Sequence, residues 1–438
     1  MKRFRFPLIV AAVLIVACVS GWFGLHGLVR SDLFRVWLSK KVSQSLHAEG
    51  QFAPLSWEGS SFTSSAFSAK GTPRSNLRSL EVTNISAHLD WSQLLHGRWV
   101  IDQFTADKVD VVLGKKAAAE QIAAKPKREP KLNLSRFLPS DLVIGQINVP
   151  RVDLHWTTGH GVSGQFTGTK VNASRDPSGL WNVETTGGIA EHGSLPSLEV
   201  QRVHGTVTEK LITVQEAIAR VAGGGDIRLT GHINNLSATE MTADFSDLST
   251  PQLLPKEWQL DAKGSGHLTY KGSIEHIEQG RVTGSIEFKD AKLDLANFLG
   301  KLRNAITLGS LGEIHLDSMQ TDLQYEARRV QISNFSARYQ DQIQIQGNAT
   351  VDAEHLDGIL QIGVAPKMLS WIPGAEEKVF TEDRDGLRWT TMKLTGSPAE
   401  PKEDLSKRLR EAARDTIEKQ FKANPKDAVK SLLDMLHH

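Results

Sequence analysis

The stretch Val330-Gln331-Ile332-Ser333-Asn334-Phe335-Ser336-Ala337-Arg338-Tyr339 decides how this chain is read. Apolar residues alternate with polar ones over Val330 and Ile332. The alternation pauses at Ser333-Asn334 and resumes in the opposite phase over Phe335, Ala337 and Tyr339. Alternation marks a strand with one buried face, because successive side chains point to opposite sides of a sheet. A slip of one residue would turn the second half inside out. A β-bulge with one extra residue absorbs that slip, keeps both halves on one apolar face and bends the strand.

The same rhythm recurs in four more places. They are Leu80-x-Val82-x-x-Ile85-x-Ala87-x-Leu89, Ile147-x-Val149-x-x-Val152-x-Leu154-x-Trp156, Leu198-x-Val200-x-x-Val203-x-Gly205-x-Val207 and Ile286-x-Phe288-x-x-Ala291-x-Leu293-x-Leu295. The pairs at the step (Thr83-Asn84, Pro150-Arg151, Gln201-Arg202, Lys289-Asp290 and Ser333-Asn334) are all polar, and Pro150 suits a bulge or a sheet edge. The pattern predicts a mainly β chain of long, curved strands. Short hairpins or ordinary bulges in any all-β protein are the alternative.

Length and charge set the frame. The 438 residues carry 51 Lys+Arg against 50 Asp+Glu, so no basic field points to nucleic acid. The single cysteine, Cys18, excludes disulfides and cysteine-based metal sites within one chain. Lys2, Arg3 and Arg5 precede an apolar run over 6–29, long enough to span a bilayer, and they predict residues 1–5 inside and the body exported. Trp22 and Trp37 suit the far membrane interface. Ile15-Val16-Ala17-Cys18 also resembles a lipoprotein box, and a cleaved signal peptide is the third reading.

Residues 30–48 place Phe34, Trp37, Leu38, Val42 and Leu46 near helical spacing, for a helix that rests on the membrane, caps the first strands or enters a core. A first β segment follows over 49–113, with a turn at Leu94-Leu95-His96-Gly97. A lysine-rich linker or loop covers 114–131, and the main β segment covers 132–397. A helix is predicted near 295–308, with Asp294 as N-cap. Residues 398–438 read as two amphipathic helices, the second starting at Asn424-Pro425.

Motifs that carry chemistry are few. Gly159-x-Gly161-x-x-Gly164 runs into strand-like sequence, so it reads as a hairpin turn and not as a dinucleotide loop. The histidines form no zinc-binding spacing, and no Gly-x-Ser-x-Gly elbow is present. The carboxylate pairs Asp383 with Asp385 and Glu376 with Glu377 sit in polar, turn-like sequence and read as solvated. The residues give no support to an enzyme, and no cofactor or metal is expected.

The order of these features resembles the AsmA-like proteins of Gram-negative envelopes, a group with TamB- and YhdP-type members. The resemblance rests on Ser79-Leu80-Glu81-Val82-Thr83-Asn84-Ile85-Ser86-Ala87-His88-Leu89-Asp90-Trp91 and the Leu94-Leu95-His96-Gly97-Arg98-Trp99 turn and strand. It rests also on Gly224-Gly225-Asp226-Ile227-Arg228-Leu229-Thr230-Gly231 and on Lys393-Leu394-Thr395-Gly396-Ser397-Pro398-Ala399-Glu400-Pro401-Lys402 with the helix after it. It implies an elongated, strongly curved antiparallel β-groove behind an N-terminal transmembrane helix, anchored in the inner membrane with a periplasmic body. Its implied role is phospholipid transport or outer-membrane homeostasis. The implied partners are phospholipid or another acyl-chain lipid, the membrane, and an outer-membrane or periplasmic protein.

The groove candidates are Leu80, Val82, Ile85, Leu89, Ile147, Val149, Val152, Leu154, Ile286, Phe288, Leu293, Val330, Ile332 and Phe335. The alternative function is a membrane-anchored scaffold for outer-membrane protein assembly, without lipid transport.

Overall fold

The computed structural model describes residues 32–73, 75–94, 99–114, 142–158, 161–234, 238–253, 260–273, 279–293, 314–370, 372–398 and 400–423. The apolar run with Lys2, Arg3, Arg5, Cys18 and Trp22, the linker beyond Gly114, the helix expected over 295–308 and the second C-terminal helix lie outside the described residues. Among the described residues no helix is long and apolar enough to cross a membrane. The chain is mainly β, with twenty-four strands among the described residues, and divides into two compact units: Met1–Glu209 with Gln215–Ala217, and Lys210–Val214 with Ile218–His438.

In the first unit, helix α1 (Asp32–Ser45) precedes β1 (Ala48–Phe52), β2 (Leu55–Glu58), β3 (Ser61–Gly71) and β4 (Leu77–Leu89). A single turn α2 (Trp91–Leu94) leads to β5 (Trp99–Thr105) and β6 (Lys108–Leu113). Then come β7 (Leu142–Thr157), β8 (Ser163–Arg175), β9 (Trp181–Thr186), β10 (Ile189–His192) and β11 (Leu198–Val207). Thr157 pairs with Ser163, so the glycine motif before β8 is a hairpin connection, followed by a strand as expected.

The sheet is mixed, which corrects the antiparallel expectation. β5 and β6 run parallel to β7, from Trp99 opposite Leu142 to Leu113 opposite Trp156. A parallel neighbour needs a crossover of a dozen residues or more, whereas a hairpin needs two. β6 ends at Leu113 and β7 begins at Leu142, which leaves that length of chain between them.

The second unit is antiparallel where its pairings are described. It takes up most of β12 (Leu211–Val221), then β13 (Asp226–Asn234), β14 (Ala238–Ser249), the turn α3 (Thr250–Leu253), β15 (Leu260–Gly272) and β16 (Arg281–Leu293). β17 (Ile314–Leu316) and β18 (Ser318–Glu326) both pair with β16, and β19 (Arg329–Tyr339), β20 (Ile343–Val351) and β21 (Leu356–Val364) continue the order. After α4 (Pro366–Leu369) and α5 (Ala375–Lys378), β23 (Leu387–Gly396) pairs with β21, β22 (Glu382–Arg384) and β24 (Pro401–Glu403). Helix α6 (Leu405–Ala423) closes the described chain.

The phase steps take two physical forms. On β19, Ile332 faces Ala349 and Phe335 faces Gly347, so Ser333-Asn334 oppose Asn348 alone. On β16, Asp290-Ala291 oppose Ala262, and on β7, Pro150-Arg151 oppose Lys170. All three are one-residue bulges, at the expected pairs on β19 and β7 and one residue beyond the expected Lys289-Asp290 on β16. The steps on β4 and β11 are not: their pairing to β3 and to β9 and β10 keeps register, because the partner strand steps at the same place. β3 buries Phe62 and Ser64, then Phe67 and Ala69, and β9 and β10 break at Gly187-Gly188. When both strands kink together no extra residue is needed.

Asn84, Asp290 and Asn334 carry positive φ at their steps (50°, 52° and 52°). Asn and Asp tolerate this left-handed region better than other residues with a Cβ. A further bulge on β14 places Asp247 (φ 53°) with Ser246 opposite Ser265. Asn334→Val is expected to cost about 1–3 kcal/mol, since a β-branched residue is strained there. Asn334→Gly should lose only about 1 kcal/mol, for the bond from Asn334 Nδ2 to Asp322 Oδ2. Urea unfolding of the two variants side by side checks the ordering.

Helix α1 packs on the first strands. Phe34 (1% exposed) and Leu38 join Trp57, Phe62, Ala87, Leu89 and Ile101 in one core. The serines between them serve β1: Ser39 Oγ accepts from the Phe52 N–H (3.0 Å) and Ser43 Oγ from the Gly50 N–H (2.9 Å). Trp37 packs against this core too. Of the readings open for 30–48, the helix therefore caps the first strands and enters their core.

Asp153, with its side chain 5% exposed, holds the bulges of β7 and β8. Its carboxylate accepts from the Gly168 N–H (2.8 Å), Lys108 Nζ (3.0 Å) and Arg151 Nε (3.2 Å). Burial raises the pKa of this carboxyl, but the bonds from Gly168, Lys108 and Arg151 outweigh burial and hold it below the ordinary value. A lowered folded pKa means the unfolded chain binds the proton more readily. The stabilisation is thus complete above the unfolded value of about 3.9 and is lost as the pH falls through the folded one. Asp153→Asn should cost about 2–4 kcal/mol at pH 7, the exposed ends of Lys108 and Arg151 softening the loss. It should also flatten the acid limb of a stability–pH profile.

Candidate functional site

Residues opposite one another in antiparallel strands share a face. In the second unit Met241, Tyr270, Val282, Tyr325 and Val330 stand opposite in sequence across β14, β15, β16, β18 and β19. The next row is Ala243, Leu268, Gly284, Leu323 and Ile332, and a third runs through Phe245, Gly266, Ile286 and Thr321. A sheet face covered by a second layer buries such residues. Here they stay half-exposed, apart from a small cluster of Ala262, Ala291, Leu316, Met319 and Ala337 with Phe288 and Phe335 on its flank.

Aromatic rings on this face lie over glycines of neighbouring strands, an arrangement that shields backbone left bare by the missing side chain. A Cβ added to Gly266 would come 2.9 Å from Phe245 Cζ, and one on Gly264 would come 3.2 Å from Phe288 Cε1. Tyr270 covers Gly280 in the same way. In the first unit Trp156 covers Gly164 and Phe166 covers Gly188.

The candidates read from the sequence fall into distinct environments. Val82, Ile85 and Val149 are buried in one core with Ala48, Phe67, Ala69 and Ala106, and Leu80, Ile147 and Val152 pack against it. Leu89 (0% exposed) lies in the core under α1. Leu154 is half-buried, opposite Phe166 and Val111. Ile286, Phe288, Val330, Ile332 and Phe335 are half-buried on the apolar face of the second unit. Of Leu293 the backbone is described, opposite Leu260 and Ile314. Met241, Phe245, Leu268, Tyr270, Leu323 and Tyr325 belong to this face as well. Their alternation is visible in the sequence, but β15 and β18 lack the phase step that drew attention to the others.

The C-terminal helix uses its apolar stripe within the unit. Leu405, Leu409 and Ala412 are buried with Leu369, Ala375, Val379, Phe380 and Met392. Arg408 donates from Nη1 to the Thr391 carbonyl (2.5 Å) and from Nη2 to Thr390 Oγ1 (2.6 Å), fastening α6 to β23. One member of each acidic pair is in a surface ion pair: Glu376 and Asp383 both reach Arg388, at 3.0 and 3.7 Å.

The polar side of the first unit holds a contact chain that no sequence motif signals. Ser60 Oγ lies 2.5 Å from His88 Nε2, and His88 Nδ1 lies 2.8 and 3.0 Å from the two oxygens of Asp102. Nearby, Gln103, Gln146, Asn148, Asn172 and Asn182 line a depression of about 250 Å³. Among the described residues no cluster of His, Cys, Asp or Glu has the grouping needed to hold a metal ion. No protein-family model, no curated protein and no solved structure matches this chain.

Proposed function

We propose that the half-exposed apolar face holds acyl-chain lipid, and that the protein binds phospholipid in support of phospholipid transport or outer-membrane homeostasis. The carrying observation is the set of apolar rows across β14 to β19, which the described protein leaves only partly buried. At roughly 25 cal/mol per Å² of apolar surface, covering such a face with hydrocarbon is strongly favourable. The bulges bend the strands that carry it.

The reading extends to the N-terminal apolar run as an inner-membrane anchor and to the body as periplasmic. The likeness to AsmA-like proteins supports both. The scaffold alternative relies on terminal helices with apolar surface to offer, and the first half of the α6 stripe, Leu405, Leu409 and Ala412, is already buried within its own unit.

Native mass spectrometry of the full-length protein, extracted in mild detergent, should show bound phospholipid. A lipid-free body under the same conditions overturns the proposal.

A further inference from the structure

We propose that Ser60 is an acyl-accepting nucleophile, with His88 as its general base and Asp102 as the residue that positions His88. This inference does not depend on the lipid reading, because the three residues lie on the polar side of the first unit. The contacts run in the order the chemistry needs. Asp102 accepts at both oxygens from His88 Nδ1, which favours the tautomer with its proton on Nδ1. The Nε2 lone pair then faces Ser60 Oγ and takes its proton.

The backbone is arranged for these contacts. Ser60 occupies the two-residue loop between β2 and β3, where Glu58 pairs with Ser61 and Gly59 has φ 60°. Its carbonyl accepts from the Leu89 N–H (2.9 Å), which ties the loop to the end of β4 beside His88. On β5, His88 faces Gln103 while Leu89 faces Ile101, so Asp102 is the extra residue of a bulge. Alternation would send Asp102 and Gln103 to opposite faces. The bulge leaves both exposed, and this re-aiming of a side chain is a known use of bulges beside reactive sites. Among the described hydrogen bonds, Gly59 and Ser60 do not donate their N–H groups, which leaves two donors at the loop for a developing oxyanion.

The substrate class is an unhindered carboxylic ester, because His88 (45% exposed) and Asp102 (51% exposed) stand on an open surface. Ser60 Oγ forms a bond to the acyl carbon as its proton passes to His88 Nε2. The ester C–O bond then breaks, and the alcohol leaves with that proton. Water attacks the acyl-serine with His88 again as base, releasing the carboxylic acid and restoring Ser60.

The full-length protein treated with a fluorophosphonate probe tests this. Peptide mapping should place the adduct on Ser60, and p-nitrophenyl acetate hydrolysis should disappear in Ser60→Ala. His88→Gln should slow labelling about a hundredfold. Asp102→Asn should lower the maximal labelling rate at least about tenfold while the half-saturating probe concentration and the melting temperature stay unchanged. Ser60 unlabelled in folded protein, or labelled equally fast in His88→Gln, overturns the assignment.

Discussion

Trp57→Ala is expected to lower the stability of the first unit by about 3–5 kcal/mol, the cost of emptying a large, well-packed core site. Trp57 is 1% exposed, meets Phe62 edge-on with ring centroids 6.3 Å apart, and shares a core with Phe34 of α1. Its Nε1 donates to the Gly59 carbonyl at 2.6 Å, so the same ring braces the loop that carries Ser60. A helix of fourteen residues is marginal by itself, and α1 depends on this docking. Urea unfolding reads the loss, and hydrogen exchange should show the amides of Asp32–Ser45 losing protection first. Unchanged exchange in α1 would assign the docking to the Ser39 and Ser43 bonds instead.

The second large effect concerns the apolar face. Ile286→Glu combined with Ile332→Glu should reduce bound phospholipid by more than about tenfold in the native mass spectrometry assay. A carboxylate surrounded by acyl chains costs several kcal/mol unless it takes up a proton, and about 1.4 kcal/mol already changes occupancy tenfold. Both isoleucines are half-exposed, so the fold tolerates the change better than it would at Leu89. Gln331→Glu, on the exposed side of the same strand, is the matched control and should retain lipid. Equal loss in the control, or retention in the double variant, would remove the lipid from this face.

Much of the β architecture was legible because alternation is a local signal. The bulges at Pro150-Arg151 and Ser333-Asn334 followed from the phase step alone, and the one expected at Lys289-Asp290 lies one residue on, at Asp290-Ala291. The kinks at Asn84 and Gln201-Arg202 show the limit of that inference: one strand cannot reveal whether its neighbour steps with it. The bulge at Asp247 escaped because only Leu248 and Ser249 follow it before β14 ends, too short a run to restore the rhythm.

The parallel pairing of β6 with β7 depends on how a segment crosses over, which composition does not encode. The burial of Leu89 beneath α1 was equally hidden, since a strand face reads the same whether helix, sheet or lipid covers it. Ser60, His88 and Asp102 were invisible for a different reason. They come from three separate segments, and Asp102 reaches His88 only through a bulge that no alternation announces.

The phase steps also bear on how the chain finds its own pairing. In a uniformly alternating sheet, a slip of one residue exposes the apolar face, but a slip of two restores it and leaves little penalty. A step breaks that degeneracy. If β19 slid two residues along β20, Ser333-Asn334 would no longer meet Asn348, and the Asn334 N–H would lose its bond to Asn348 Oδ1. Each step thus acts as a registration mark that allows one alignment among many of equal hydrophobicity. Removing the marks should yield a sheet that still hides its apolar residues but pairs in several competing frames.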